Sequence, residues 1–351
     1  MTKAPGVAGV PYPGGMAVTE DTLRLPPEKP LRRGRRRWWG AVVWLLVLPF
    51  AAWAAMRVFG LESGFPAVQL MAFTPYVAGA SLVPLLVALV TRRVWPAVVT
   101  AVATVALAAC VLPRWISDSS PEPGGPGLRV LSVNMLFGGA DPGAIVGLVR
   151  QLNVDLVALQ EYTPEAQSAL RAAGLEAVLP NAVAYPKPGV TGSAVYSRFP
   201  VTDLGYRQFP STFGQARASV AVPGAKDVRV ESVHPCAPAS SRLSHCWEKD
   251  IALEPAATPD GAVSLLLGDF NATLDHEKFR ELLDTGYRDA ADVAGAGFDA
   301  SWPYDERWFI PGVVLDHVVA DRRVGVGKVS VHQMPQSDHK AVFAELVLPK
   351  A

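Results

Sequence analysis

Three apolar stretches, residues 38–59, 67–90 and 95–113, dominate the first third of the chain. Each approaches the ~20 residues with which a helix crosses a bilayer. Segments apolar on every side need either a membrane or a large core around them. Arg57 alone interrupts them, near an end where its stem can snorkel toward an interface. Trp38, Trp39, Trp95 and Trp115 stand at segment ends, as interfacial anchors do, and Pro49, Pro75, Pro84 and Pro96 are tolerable in membrane helices. The expectation is three transmembrane helices over residues 38–116.

Charge supplies an orientation. The 32 Lys+Arg and 32 Asp+Glu cancel overall, but residues 1–120 sum to +7 and residues 121–351 to −7. Lys29, Arg32, Arg33, Arg35, Arg36 and Arg37 precede the first stretch, Arg92 and Arg93 separate the second from the third, and loop 60–66 has no basic residue. Basic residues stay on the cytoplasmic side. Residues 1–37 therefore read as a disordered basic cytoplasmic tail, and everything beyond the third span as extracytoplasmic, with Arg114 a mild dissent. A cleaved signal peptide ending near Ala52-Trp53-Ala54 is the competing reading; it would leave an even number of spans.

Residues 117–127 (SDSSPEPGGPG) read as a linker. Beyond it, over 128–351, runs 129–133, 155–160, 193–197, 216–222, 228–233, 263–267, 313–319, 324–331 and 341–348 read as strands, and 142–152, 164–173 and 276–283 as helices. This mixed order indicates an α/β fold, two packed β-sheets flanked by helices. Cys236 and Cys246 are expected to form a disulfide outside the cytoplasm; two free thiols, or a zinc site with His245, are the alternatives. Cys110 reads as a small buried hydrophobe.

The chemistry sits at strand ends, where open α/β sheets collect their sites. Asn134, Glu161 and His234 each follow an apolar run, and Gly268-Asp269-Phe270-Asn271 follows 263–267. Asp269 and Asn271 share a face if the backbone is extended, so both can address one small ligand. Ser337-Asp338-His339 adds a carboxylate and an imidazole near the C-terminus. Glu161 as a solvated carboxylate and Asp269–Asn271 as an Asx turn are the plainer readings. His276, His317 and His332 read as structural, and Trp302, Pro303 and Trp308 as a loop that walls a cleft or simply packs.

Together Ser132-Val133-Asn134, Leu159-Gln160-Glu161, the run 192–200, Ser232-Val233-His234, Gly268–Asn271, Leu315-Asp316-His317 and Ser337-Asp338-His339 resemble the endonuclease/exonuclease/phosphatase (DNase I-like) superfamily over about residues 128–349. The resemblance implies a four-layer α/β sandwich that hydrolyses a phosphate ester with Mg²⁺ or Mn²⁺, hard cations that favour carboxylate oxygens. It implies Glu161 as primary metal ligand, supported by Asn134 and Asp338. Asp269 would orient and deprotonate the attacking water, Asn271 bind the phosphate or the nucleophile, and His234 and His339 steady the phosphoryl oxygens, with Asp316 paired to His339. The anchored, outward-facing layout is similar to actinobacterial teicoplanin-resistance proteins, which implies a role in envelope metabolism or glycopeptide resistance. Residues 235–241 depart from the longer loops of the nuclease branch.

The −7 balance of residues 121–351, without a Lys/Arg cluster among aromatics, disfavours extended nucleic-acid binding. Tethering beside a bilayer raises the effective concentration of lipid- or envelope-linked phosphate esters. The partners expected are therefore the bilayer and such an ester, with no protein partner. A membrane-tethered nuclease and a non-catalytic envelope-binding module are the alternatives.

Overall fold

The computed structural model describes residues 32–351 apart from Glu306 and Trp308, together with Thr2, Gly6 and Gly9. The tail expected over residues 1–31, apart from those three, and the Trp308 part of the cleft loop lie outside the described residues. The chain divides into Met1–Val42 and Val43–Ala351.

The first helix, Arg32–Phe59, takes in residues 32–37 of the expected tail, since arginine is a good helix former. The second apolar stretch is broken into Ala67–Met71, Thr74–Ala80 and Leu82–Val90. Pro75 has no N–H for the Met71 carbonyl, which the Thr74 hydroxyl takes instead at 2.7 Å, and Pro84 similarly releases the carbonyl of Ala80. The third apolar stretch forms Val94–Val111, continued by a 3₁₀ turn at Leu112–Trp115. Among the described residues two helices are long and apolar enough to cross a membrane, Trp38–Phe59 and Val94–Trp115; Thr74–Val90 falls short of the expected third. Arg57 does not snorkel. It is buried and donates to Asp275 at 2.7 Å.

Twelve strands follow: β1 (Gly124–Asn134), β2 (Leu156–Gln160), β3 (Asn181–Tyr185), β4 (Ser193–Ser197), β5 (Val201–Gln208), β6 (Gly214–Val220), β7 (Val228–Val233), β8 (Val263–Asp269), β9 (Tyr287–Asp289), β10 (Asp316–Asp321), β11 (Gly325–His332) and β12 (Ala341–Pro349). They form two sheets of order β11-β12-β1-β2-β4-β3 and β5-β6-β7-β8-β10-β9. The sheets pack face to face over Leu128, Val130, Leu156, Val230, Leu265, Leu267, Val318 and Leu346. Helices Pro142–Gln151 and Pro164–Ala172 cover the first sheet around Leu131, Val133 and Leu159. Helices Ser241–Ile251 and Glu277–Asp284 cover the second around Trp247, Phe270 and Phe279. Four layers result, as expected. Val68, from the apolar segment, belongs to that last cluster.

Several elements differ from the sequence reading. β1 starts at Gly124, inside the expected linker, because glycine permits the close pairing with β12: a Cβ on Gly125 would lie 2.2 Å from the Leu348 carbonyl oxygen. Asp118, also in that stretch, donates its N–H to Val293 O at 2.9 Å and pairs with Arg288. β10 starts at Asp316, because Val313 instead exchanges backbone bonds with Trp302. Strands β3, β5 and β9 were not expected; β5 is a half-exposed edge strand with no alternation of apolar residues. Helix Ser241–Ile251 carries little apolar periodicity, being mostly polar, and is started by Ser240, which caps the Leu243 N–H.

Candidate active site

The topology gathers the chemistry. β1 and β2 run parallel in one sheet, β7 and β8 in the other. Side chains alternate along a strand, and the inward positions continue the core into polar groups. Leu128, Val130 and Ser132 lead to Asn134, Val228, Val230 and Ser232 to His234, and Val263, Leu265 and Leu267 to Asp269. Asp316 opens β10 directly opposite Asp269. Beneath this end, Gln160 Nε2 donates to Ser232 Oγ (2.9 Å), which donates to Leu159 O (2.9 Å), so polar bonds tie the sheets together. Gly268 lets β7 and β8 approach there: a Cβ would lie 2.0 Å from the Val233 carbonyl oxygen.

Glu161, His234, Asp269, Asn271, Asp338 and His339 line one cleft of about 350 Å³, while Asn134 and Asp316 stand behind it in contact with cleft residues. Glu161 accepts from Asn134 Nδ2 (3.3 Å) and from the Phe137 N–H (2.7 Å). Asn134 also donates to Asp269 Oδ2 at 3.1 Å, while its own oxygen accepts the Leu136 N–H at 3.0 Å. Glu161 (φ 55°) and Asn271 (φ 49°) both adopt left-handed backbone. That is rare for a glutamate, and such conformations concentrate at functional sites.

Asp269 Oδ1 accepts the Asn271 N–H at 2.8 Å, so the Asx turn exists and coexists with the site. Burial, with Asp316 adding to it against the pull of His339 and His234, pushes the Asp269 carboxyl up to about 6. His339 Nδ1 lies 2.8 Å from Asp316 Oδ2, and its Nε2 lies 3.6 Å from Asp269 Oδ2. Burial works against the imidazolium, but Asp316, Asp269 and Asp338 outweigh it and raise His339 to about 10. His234 donates Nδ1–H to Val190 O (3.2 Å), which turns Nε2 toward Glu161 Oε1 (3.7 Å) and Asp269 Oδ2 (3.8 Å). Asn271 Nδ2 donates to Pro235 O at 3.1 Å.

Asp269, Asp316 and His339 each offer a ligand atom within 4.8 Å of the others. His339 Nδ1 is taken up by Asp316, and the carboxylates of Glu161 and Asp338 also face the cleft. Among the described residues Asp338 Oδ1 is buried without a hydrogen-bond partner, and its Oδ2 accepts from Trp302 Nε1 (3.0 Å) and from Arg307.

Arg307 is a cleft residue that the sequence reading missed. A single arginine in an irregular loop carries no periodic signal; its position shows only once Asp338 and Trp302 are seen to hold it. Gln69, Ala72 and Phe73, from the apolar segment, also wall the cleft. His276 and His317 have structural partners: His276 bonds Thr273 N and Val68 O, and His317 bonds Asp289 and Ala272 O. Cys236 and Cys246 form a disulfide with a Cα separation of 5.8 Å, which sets the zinc alternative aside.

The family model described as Endonuclease/Exonuclease/phosphatase family matches residues 131–339. Among solved structures, a truncated TDP2 from Caenorhabditis elegans is 19% identical, with TM-score 0.51 over 63% of this chain and 98% of that one. An endonuclease/exonuclease/phosphatase from Beutenbergia cavernae DSM 12333 is 19% identical, with TM-score 0.49 over 63% and 72%. Sphingomyelinase C from Streptomyces griseocarneus is 16% identical, with TM-score 0.42 over 63% and 99%. No curated protein matches the chain.

Proposed function

The chain belongs to the endonuclease/exonuclease/phosphatase family, and on that premise we propose a membrane-anchored, metal-dependent phosphoesterase acting outside the cytoplasm on a lipid- or envelope-linked phosphate ester. One observation carries this reading. Carboxylates and histidines from both sheets meet in a cleft to whose wall Gln69, Ala72 and Phe73 of the apolar segment also contribute.

The residues fit a hard divalent cation. Glu161 presents a carboxylate into the cleft, and Asp338 Oδ1 is buried with no hydrogen-bond partner among the described residues, His339 Nε2 lying 3.9 Å away. Glu161 and Asp338 would hold Mg²⁺ or Mn²⁺, with Asn134 steadying Glu161 from behind. The bound cation would neutralise charge developing on the phosphoryl group. Asp269, raised to about 6, is matched to accept a proton from the attacking water near neutral pH. Protonated His339, held by Asp316, and Arg307 donate to phosphoryl oxygens. His234 completes the cage opposite, and Asn271 orients Asp269 through its backbone N–H.

Membrane anchoring rests on exposure. Only 22% and 28% of the two long apolar windows is buried, whereas a core helix of a soluble protein would be mostly covered. Leu45, Leu86, Val102 and Val105 all point outward. Loop 60–66 touches the catalytic unit, with the Gly64 N–H donating to Glu248 at 2.8 Å, which supports placing that loop and the cleft on the same, outer, side. The proposed layout is a basic tail over 1–37, helices over 38–116, a connector over 117–127 and the catalytic part over 128–351.

The test is hydrolysis by the full-length protein of lipid phosphates, lipid pyrophosphates, soluble phosphomonoesters and plasmid DNA, with Mg²⁺, with Mn²⁺ and with EDTA. Metal-dependent turnover of a lipid phosphate supports the reading. Turnover of DNA alone would replace it with a tethered nuclease.

A further inference from the structure

Behind the helical wall of the cleft lies a second space that the reaction above does not use. It is a chamber of about 580 Å³ between the apolar helices and the catalytic sandwich, and it shares Ala72 and Val313 with the cleft. Ala78, Gly79, Leu82, Ala108, Val111 and Phe298 give it an apolar lining. The charged side chains that reach it are already paired, Arg114 with Asp275 at 2.9 Å and Asp289 with His317 at 2.8 Å. Tyr76, on the helical side, donates its hydroxyl to Gly312 O at 2.7 Å, pinning the two walls together.

We propose that this chamber is a hydrocarbon-tail site: the substrate is an amphiphile whose phosphate ester occupies the cleft and whose tail runs past Ala72 and Val313 into the chamber. The proposal rests on the phosphoesterase reading and deepens it by assigning the substrate class. Three observations select this occupant. The two spaces share Ala72 and Val313 in their linings; the cleft holds the site acids, the histidines and Arg307, whereas the charges that reach the chamber are paired with Asp275 or His317, so the head and the tail of an amphiphile meet different surroundings. The chamber is of ligand-binding size, and an apolar cavity with its charges paired holds hydrocarbon better than water. Its helical wall is made by segments whose other faces expose Val83, Leu86 and Val105, so a tail already in a bilayer reaches it without crossing water.

A Cβ added at Gly79 meets no atom within 4 Å, so Gly79→Leu adds bulk without a backbone clash; Ala108→Phe does so from the facing helix. The full-length protein, in lipid nanodiscs with Mg²⁺, is titrated with hexadecylphosphonate and butylphosphonate, which share a head group that cannot be hydrolysed. The expected result is that both variants bind hexadecylphosphonate at least tenfold more weakly than the wild type while their butylphosphonate affinity changes less than threefold. Val105→Phe, on an exposed face outside the chamber, should leave both affinities unaltered. Unchanged hexadecylphosphonate affinity in both folded variants overturns the tail site and leaves the phosphoesterase reading standing. Because binding is read without turnover, failure of that reading appears separately, as a wild type that hydrolyses no phosphate ester.

Discussion

Asp269 and Asp275 belong to one short segment, both are fully buried, and they are built to opposite specifications. Asp275 is closed. Its Oδ1 accepts from Arg57 Nε (2.7 Å) and Arg114 Nη2 (2.5 Å), and its Oδ2 from Arg114 Nη1 (2.9 Å). Asp269 takes its hydrogen bonds from neutral donors, Asn271 N–H and Asn134 Nδ2, with His339 Nε2 standing off at 3.6 Å and Asp316 beside it at the cleft. A buried carboxylate saturated by guanidinium groups is structural; one left to neutral donors keeps capacity for a proton or a ligand. The first cluster binds the helices to the sandwich, and the second faces the substrate.

The strongest way to break this contrast is at the metal-facing carboxylate. Glu161→Ala should lower kcat by roughly 10³-fold or more, about 4 kcal/mol in activation free energy, with an unchanged melting temperature. Retention of more than a tenth of the activity would remove Glu161 from the chemistry. Asp275→Ala should do the reverse. Two buried guanidinium groups lose their counter-ion, at a cost of about 3–5 kcal/mol in stability, read as a lowered melting temperature in detergent. Its kcat, measured well below that temperature, should fall less than tenfold; a loss like that of Glu161→Ala would erase the distinction.

Arg307→Ala removes a cation from the cleft wall. KM should rise roughly tenfold, about 1.4 kcal/mol, with kcat within threefold. A fall in kcat alone would instead make Arg307 a group acting only in the transition state.

The smallest effect concerns His276, which joins the two regions. Its Nδ1 accepts the Thr273 N–H at 2.9 Å and its Nε2 donates to Val68 O at 2.8 Å, an arrangement that requires the neutral ring. Burial lowers it from 6.5 to about 4. Between these values the unfolded chain binds more protons than the folded one. Its stabilising contribution is therefore complete above pH 6.5 and declines as pH falls toward 4, by roughly 1 kcal/mol per pH unit. The difference in unfolding free energy between the wild type and His276→Gln across that window should show the slope, since the opposite contribution of the raised Asp269 is common to both and cancels.

Much of the site was legible before any fold. Asn134, His234 and Asp269 continue the inward parity of their strands, so the same period-two pattern that builds the core also aims these residues. Arg307 and the helical wall were not legible, because an irregular loop and a remote helix acquire meaning only from what they touch. The second apolar stretch misled for a related reason. Its composition is that of a span, but Pro75 and Pro84 withdraw hydrogen bonds that composition does not count.

The sequence by itself determined the division into apolar helices and an α/β sandwich, and which side chains end the strands, since periodicity and hydropathy are local properties. Only the tertiary structure decided that the helices pack against the sandwich through Asp275 and His276, wall its cleft and enclose a chamber beside it. Those contacts join residues more than a hundred positions apart, and no local pattern encodes their meeting.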